Sequence, residues 1–278
     1  MKRRGSSVAD ALRGAAERLS ATSDTARLDA ELLMAQALGV SRSDLLLKHM
    51  RDPAPGGFAA LIERRVAHEP VAHITGRQEF FGLDLAVTRD TLIPRGDSET
   101  IVLAALEAAP DAARVLDMGT GTGALLLAFL HERPAAQGIG IDASPAALAV
   151  ARGNARRLGL AARAEFPLAS WLDEGWADSL GRFDLILCNP PYVEADAALD
   201  PDVRDYEPAC ALFAGPEGLD DYRAIIPQLG KLLLPEGIAV LEIGATQAQA
   251  VSTIARESSF AAELRHDLGG RPRALILR

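Results

Sequence analysis

The stretch "VLDMGTGTGALLL", Val115–Leu127, decides the fold that we predict for this chain. An apolar run stops at Gly119, two further glycines follow at positions 121 and 123, and a second apolar run begins at once. This order predicts a short buried strand, a tight turn and a helix. Glycines allow the backbone to turn sharply, and they let a ligand approach the turn without a side chain in the way.

Strands and helices alternate from about residue 112 to the end of the chain. Helices are predicted for "TGALLLAFLHER", "SPAALAVARGNARRLG", "GLDDYRAIIPQLGKLLL" and "TQAQAVSTIARES". The predicted strands are "ARVLDMG", "QGIGID", "RAEF", "RFDLILC", "GIAVLEIG" and "RPRALILR". Such alternation predicts an α/β fold, with helices on both faces of a mostly parallel sheet. Ligands of such sheets lie at the carboxyl ends of the strands, where the crossover direction switches.

The chain before this region has a different pattern. Residues 6 to 70 carry apolar side chains at three- and four-residue steps, which predicts a small unit of about four helices, with Ser41 capping a short one. Phe81, Leu83, Leu85 and Val87 then alternate with smaller or polar residues, which predicts a strand or hairpin. We therefore expect a helical domain over residues 1–70, a β-hairpin connector over residues 71–95 and an α/β domain over residues 96–278.

The composition is that of a globular protein, with 49% hydrophobic residues and a formal net charge of −9. This charge argues against a nucleic-acid substrate, because proteins that grip the phosphate backbone are basic. The two cysteines form no CxxC pair and the five histidines are scattered, so we expect neither a disulfide framework nor a metal site. The sequence has no apolar run of membrane-spanning length, and we expect a cytoplasmic protein with no membrane partner.

The glycine turn and an acid beyond it predict a nucleoside site. Asp142 ends the second strand, where its carboxylate can accept hydrogen bonds from two ribose hydroxyls. The turn alone leaves three alternatives open: a methyl donor, a dinucleotide, whose GxGxxA pattern it also satisfies, or a purely structural turn. Asp117 favours the first, because a carboxylate there suits the cationic amino acid end of S-adenosylmethionine better than a pyrophosphate.

The stretch "NPPY", Asn189–Tyr192, predicts the acceptor site. It follows the strand "RFDLILC", so the Asn189 side chain should emerge at the carboxyl edge of the sheet beside the glycine turn. The Asn189 side-chain carbonyl and the Pro190 carbonyl can each accept one N–H of a planar amide or an exocyclic amine. Pro190 and Pro191 fix φ and remove competing donors, and the Tyr192 ring can cover the flat group. Asn-Pro-Pro could also simply terminate a strand.

These residues lie within blocks that resemble the HemK/PrmC family of release factor glutamine methyltransferases, over nearly the whole chain. The blocks that carry the resemblance are "ARLDAELLMAQALG", "EPVAHITGRQEFFGL", "TLIPR", "VLDMGTGTGA", "GIDASPAAL", "NPPYV", "VRDYEPACALFAGPEGLDDYR" and "DLGGRPR". The resemblance implies a class I S-adenosylmethionine-dependent methyltransferase fold, which is Rossmann-like with a seven-stranded sheet. It also implies methylation of the side-chain nitrogen (N5) of the glutamine in the GGQ motif of class 1 peptide chain release factors, with S-adenosyl-L-homocysteine as the second product.

The same resemblance implies roles for individual residues. Asn189, Pro190 and Tyr192 would be catalytic, and with Pro191 they would hold the glutamine. The donor would be bound by Asp117, Gly119, Thr120, Gly121, Thr122, Gly123, Asp142, Trp171 and Asn189. Of these, Trp171 would lie near the adenine. The helical domain would shape the release factor site. The chain departs from the family at Gly96, where a proline is usual, and at Ser170, where an acid is common.

Four other functions compete with this hypothesis. A related glutamine methyltransferase that acts on a ribosomal protein would share the donor site and NPPY. An N6-adenine nucleic-acid methyltransferase would also use NPPY, but would normally need a basic groove and a flipped base. A non-enzymatic nucleotide-binding module or a dinucleotide-dependent dehydrogenase would keep the glycines and Asp142, yet would have no use for Asn189 and Tyr192.

Overall fold

The computed structural model describes residues 6–278, which form two compact units. One unit is the chain up to Arg77 together with Leu199–Tyr206, and the other comprises Gln78–Ala198 and Glu207–Arg278. The domain limits expected after residues 70 and 95 stay a prediction. In residues 6–278 no helix combines the length and the apolar character needed to cross a membrane.

The first unit is built from short helices around one apolar core. Its described helices are α1 (Val8–Leu19), α2 (Ala26–Leu38), α3 (Arg42–Asp44), a π-helical turn (Leu45–His49), α4 (Phe58–Val66), α5 (Val71–Thr75) and α9 (Pro201–Arg204). Ser41 caps α3 as expected, since its hydroxyl accepts the Asp44 N–H at 3.0 Å. The helical turn α5 lies inside the stretch that the sequence predicted as part of the connector.

A later segment of the chain completes this unit. The Tyr206 hydroxyl donates to the Ala67 carbonyl at 2.7 Å, and Asp202 lies 3.8 Å from Arg65. Arg65 is itself buried and pairs with Asp29 at 2.7 Å. These contacts explain why Leu199–Tyr206 belongs to the helical unit although it lies far along the sequence.

The predicted hairpin is present, and it is formed by β1 (Arg77–Phe80) and β2 (Leu83–Ala86). Leu83, Leu85 and Val87 are buried as the alternation predicts. The prediction that Phe81 continues this face was wrong. Phe81 takes φ 52° in the turn, so the alternation is interrupted there and Phe80 becomes the buried residue.

The second unit is a seven-stranded sheet covered by helices, which confirms the predicted fold class. Its strands are β3 (Arg114–Met118), β4 (Gln137–Ile141), β5 (Ala164–Glu165), β6 (Phe183–Cys188), β7 (Leu233–Glu242), β8 (Ala262–His266) and β9 (Pro272–Leu277). The order is β5-β4-β3-β6-β7-β9-β8, and β9 runs antiparallel to both β7 and β8. The chain leaves β3 toward β4 and later returns to β6 on the other side, so a crossover switch lies at β3.

Each face of the sheet buries its own apolar core because successive side chains of a strand point to opposite faces. Val115 and Leu185 pack on one face, and Leu116 and Ile186 on the other. The helices of this unit are α6 (Glu99–Ala108), α7 (Ala124–Glu132), α8 (Pro145–Arg157), α10 (Asp220–Ile225), α11 (Leu229–Leu232) and α12 (Ala248–Glu257).

One predicted helix was wrong in its extent, and one strand of the sheet was not assigned from the sequence. The helix predicted over "GLDDYRAIIPQLGKLLL" is divided into α10, a 3₁₀ turn (Ile226–Gln228) and α11, because Pro227 has no N–H for a continuous helix. Strand β8 was not predicted. Its side chains are half-buried or exposed at the sheet edge, so its sequence lacks the apolar run of a central strand.

Candidate active site

Strand register brings the glycine turn, Asp142 and Asn189 to one edge of the sheet. Met118 is aligned with Ile141 of β4 and with Cys188 of β6, so the next residue of each strand emerges at the same level. A cavity of about 510 Å³ opens there. Among the residues that line it are Asp117, Gly119, Thr120, Gly121, Thr122, Asp142, Ser170, Trp171, Asn189 and Pro191.

The glycine turn has the backbone geometry that the sequence predicts. Gly119, Gly121 and Gly123 take φ 73°, 54° and 84°, in the left-handed region that favours glycine. A Cβ on Gly119 would lie 3.2 Å from the Trp171 ring, whereas a Cβ on Gly121 would meet nothing within 4 Å. The turn is therefore closed on one side by Trp171 and open at Gly121.

Asp142 fastens the turn as well as facing the cavity. Its Oδ2 accepts the Gly121 N–H and its Oδ1 accepts the Ser144 N–H, each at 2.9 Å. A carboxylate oxygen can accept two hydrogen bonds, so capacity remains for hydroxyl groups from the cavity. The Ser144 hydroxyl in turn accepts the Ala147 N–H and so caps α8.

Asp117 brings an unsatisfied carboxylate oxygen to the cavity. Its side chain is 1% exposed, and Oδ2 accepts the Thr120 hydroxyl at 2.6 Å. In the described chain Oδ1 has no hydrogen-bond partner. Burial raises the pKa of Asp117 to about 7. A cation bound against Oδ1 would satisfy the oxygen and favour the charged form.

Trp171 forms the part of the cavity wall beside Gly119. Its indole N–H donates to Asp221 at 2.8 Å, and both residues line the cavity. Burial raises the pKa of the Asp221 carboxyl. Ser170 stands where the family commonly has an acid. The structure places a different acid, Asp221, beside the next residue, Trp171. Asp221 follows no recognisable spacing from Trp171, so only the fold could reveal it.

The members of the NPPY segment lie in different surroundings. Asn189 and Pro191 line the cavity, and the Asn189 side chain makes no hydrogen bond to any of residues 6–278. Pro190 is buried behind them. Tyr192 packs against the apolar core and its hydroxyl donates to Glu242 at 3.2 Å, and it is not among the cavity-lining residues. The ring cover expected from Tyr192 stays a prediction.

Sequence reasoning missed a buried acid, Glu207, which holds a loop that lines the cavity. Glu207 accepts the Ile93 N–H at 3.0 Å, and the Arg95 guanidinium donates to it. These contacts fix the "TLIPR" loop, so that Pro94 and Arg95 line the cavity. The only sequence signal is that the two blocks "TLIPR" and "YEPAC" both carry the family resemblance.

Asn154 was also missed. It is fully buried, its amide donates to the Thr122 carbonyl at 2.8 Å and to the Ala86 carbonyl, and its carbonyl accepts the Ala86 N–H at 2.8 Å. It thereby ties the glycine turn to the end of the hairpin. A polar residue on the apolar face of α8, three residues after Ala151, was the available signal.

Comparison with known proteins assigns the family. Residues 10–76 match the PrmC N-terminal domain, and residues 110–268 match a methyltransferase domain. A release factor glutamine methyltransferase of Cereibacter sphaeroides is 46% identical over 279 residues, which cover 98% of either chain. The chain belongs to the release factor glutamine methyltransferase family.

Other comparisons agree with this family. A release factor glutamine methyltransferase of Bradyrhizobium diazoefficiens is 41% identical over 99% of this chain and 95% of its own. The solved structure of a methyltransferase from Pyrococcus furiosus is similar in fold alone, with a TM-score of 0.54 at 16% identity over 71% of this chain and 89% of that chain.

Proposed function

We propose that this protein transfers a methyl group from S-adenosylmethionine to the side-chain amide nitrogen of the glutamine in the GGQ motif of class 1 peptide chain release factors. The observation that carries the proposal is the position of Asn189. It lies level with Gly119 and Asp142 and lines the same cavity, with an amide that no group of residues 6–278 satisfies. Membership of the release factor glutamine methyltransferase family supports the choice of acceptor.

The residues around the glycine turn fit the donor. The buried, unpartnered Oδ1 of Asp117 suits the cationic amino group, and the open side of Gly121 leaves room for the ligand next to the backbone. Asp142 would accept the ribose hydroxyls, and Trp171 would pack against the adenine. When bound, S-adenosylmethionine supplies an electrophilic methyl group on a positively charged sulfur.

Asn189 and Pro190 would prepare the glutamine for methylation, and we call the Asn189 side-chain carbonyl and the Pro190 backbone carbonyl the acceptor clamp. An amide nitrogen is a poor nucleophile because its lone pair is delocalised into the adjacent carbonyl. Two acceptors on its hydrogens return electron density to the nitrogen, and they stabilise the positive charge that develops on it. The proton can leave after transfer, so no strong base is required beforehand.

Mass spectrometry of the acceptor tests this function directly. The purified protein is incubated with deuteromethyl-labelled S-adenosylmethionine and a class 1 release factor, and tryptic peptides are then sequenced. We expect one labelled methyl group on the GGQ glutamine, and none on a release factor in which that glutamine is replaced by alanine. No transfer to the release factor would contradict the proposal. So would label that appears only on a ribosomal protein or on adenine, in parallel incubations with ribosomes or nucleic acid in place of the release factor.

A further inference from the structure

The NPPY segment is held from two sides by one stretch of chain. This stretch is "EIGATQ", Glu242–Gln247, which begins at the last residue of β7. The Tyr192 hydroxyl donates to Glu242 Oε1 at 3.2 Å, and Gln247 Nε2 donates to the Tyr192 backbone carbonyl at 3.0 Å. We call Glu242 and Gln247 the brace.

Gln247 is locked in place by its other contacts. Its Nε2 also donates to the Gly218 carbonyl at 3.1 Å, and its Oε1 accepts the Gly244 N–H at 3.0 Å. Gly218 packs so closely that a Cβ there would lie 2.2 Å from the Tyr192 carbonyl oxygen. Because both the oxygen and the nitrogen of the Gln247 amide are hydrogen-bonded, the amide is fixed in one orientation and holds the Tyr192 carbonyl in one position.

Glu242 is a buried carboxyl that accepts the Tyr192 hydroxyl. It is 1% exposed, and in the described chain its Oε2 has no hydrogen-bond partner. The nearest cation is Arg273, whose Nη1 lies 4.0 Å from Glu242 Oε1 and whose Nη2 pairs with Asp97 at 3.1 Å. Burial raises the pKa of Glu242 to about 7, and the nearby Ser98 side chain opposes this rise. An incompletely satisfied buried carboxyl is costly to stability, so a functional reason for it is expected.

The brace lies where it can control the acceptor clamp. Cys188 of β6 is aligned with Leu241 of β7, so Asn189, which follows β6, lies level with Glu242, the last residue of β7. The Asn189 side chain makes no hydrogen bond within residues 6–278 that would aim it.

The two prolines fix φ within the segment but do not fix where the segment lies on the sheet edge. Backbone hydrogen bonds hold the end of the segment, since the Tyr192 and Val193 N–H groups donate to the Leu212 carbonyl at 3.2 and 2.8 Å. The brace holds the Tyr192 side chain and its backbone carbonyl.

We propose that Glu242 and Gln247 are positioning residues for methyl transfer, which act through Tyr192 to hold the acceptor clamp at the edge of the cavity. This inference rests on the proposed function. Neither residue lines the cavity, so neither should contact donor or acceptor directly. Their loss should therefore lower the rate of transfer and leave donor affinity unchanged.

Single-turnover rates of four variants test the brace. Tyr192→Phe and Glu242→Leu remove the same hydrogen bond from opposite ends, and each should lower the rate at least about tenfold, since small displacements of a reacting group are costly. Glu242→Gln keeps an oxygen acceptor of equal reach and should restore much of the loss. In a double variant with Tyr192→Phe, Glu242→Leu should lower the rate little more, because both remove the same hydrogen bond. Gln247→Met combined with Tyr192→Phe should lower it further, because Gln247 binds the Tyr192 backbone carbonyl.

Asp267→Asn is the matched control. Asp267 is a second buried carboxyl beside Arg273, at 3.7 Å, but it has no contact with Tyr192. Its variant should keep the rate within about twofold of the starting protein. Unchanged rates in both Tyr192→Phe and Glu242→Leu would overturn the proposal. So would a loss in Glu242→Leu that Tyr192→Phe does not reproduce, or an equal loss in Asp267→Asn.

A spectroscopic measurement tests the Tyr192 contact without activity. The chain has three tyrosines, so the ring signals of protein labelled with ¹³C-tyrosine can be assigned by substitution. Burial and the Glu242 carboxyl raise the pKa of Tyr192, and Glu242→Gln should lower it. If the protein methylates no glutamine but Glu242→Gln lowers the pKa of Tyr192, the proposed function fails while the contact stands. If methylation occurs and Glu242→Gln leaves the pKa of Tyr192 unchanged, the brace alone is refuted.

Discussion

Asp117 and Asn189 both bring polar atoms to the cavity that the described chain leaves unsatisfied. The two residues differ in what they can attract. Asp117 is a buried acid and suits a cation, whereas the Asn189 amide is neutral and suits another planar polar group. In the proposed reaction the donor would be recognised by charge at Asp117, and the acceptor glutamine by hydrogen-bond geometry at Asn189.

Asn189→Ala separates donor binding from transfer. The substitution removes one acceptor of the clamp, and it leaves Asp117, Asp142 and the glycine turn untouched. We expect transfer to fall at least about a hundredfold, as for the loss of a single transition-state donor or acceptor in other enzymes. The dissociation constant of the donor, measured by calorimetry, should change little. A variant that keeps its turnover would exclude Asn189 from the clamp.

Donor binding should release a proton near neutral pH. With its pKa raised to about 7, Asp117 is largely protonated at pH 6, and a bound cation would favour its charged form. Donor affinity should therefore increase as the pH rises toward about 7 and then level off. Calorimetry at pH 6 in buffers of different ionisation enthalpy measures the released proton.

Asp117→Asn is the control for this pH dependence. The amide has the same shape and does not titrate, so its donor affinity should be weaker and nearly independent of pH between 6 and 8. An equal pH dependence in both proteins would assign the released proton to another group.

At the scale of elements, the site depends on a turn between β3 and α7 and on the register of three strands. The turn was predictable because glycines mark it in the sequence. The register was not, because it follows from the pairing of β3 with β4 and β6. That pairing is what places Asp142 and Asn189 level with Gly119, from positions 23 and 70 residues further along the chain.

Two glycine substitutions distinguish the turn from an ordinary helix. Gly119→Ala would place a Cβ 3.2 Å from Trp171 at φ 73°, so we expect weaker donor binding and a loss of about 1–2 kcal/mol of stability. Gly153 lies inside α8 with nothing within 4 Å of a Cβ. Gly153→Ala should therefore stabilise the protein by up to about 1 kcal/mol and leave donor binding unchanged. Chemical denaturation and calorimetry measure both effects, and equal effects of the two substitutions would contradict the role of the turn.

At the scale of the whole molecule, two buried acids tie stability to pH. Burial raises the pKa of Asp117 from 3.8 and that of Glu242 from 4.5, each to about 7. The folded protein therefore binds protons that the unfolded chain has released over this window. The stability that protonation contributes is present in acid, and it is lost as the pH rises through about 7.

Thermal unfolding without donor checks this dependence. The melting temperature should be higher at pH 6 than at pH 8. Acids whose pKa is lowered by partners, such as Asp267 beside Arg271, act in the opposite direction but only below about pH 4. The double variant Asp117→Asn, Glu242→Gln should melt at nearly the same temperature at both pH values. A melting temperature that rises from pH 6 to pH 8 in the starting protein would refute the linkage.

The sequence by itself determined the alternation of strands and helices and the glycine turn. It also singled out Asp117, Asp142 and Asn189, which the structure brings to one cavity. These are local features, written in hydrophobic period, glycine spacing and strand ends. Only the tertiary structure decided that Glu242 and Gln247 hold Tyr192, that Asp221 meets Trp171 and that Glu207 fixes the Arg95 loop. Each of these contacts joins residues at least 50 positions apart. Side-chain partners at such separations depend on how strands pair and loops fold back, which no local pattern encodes.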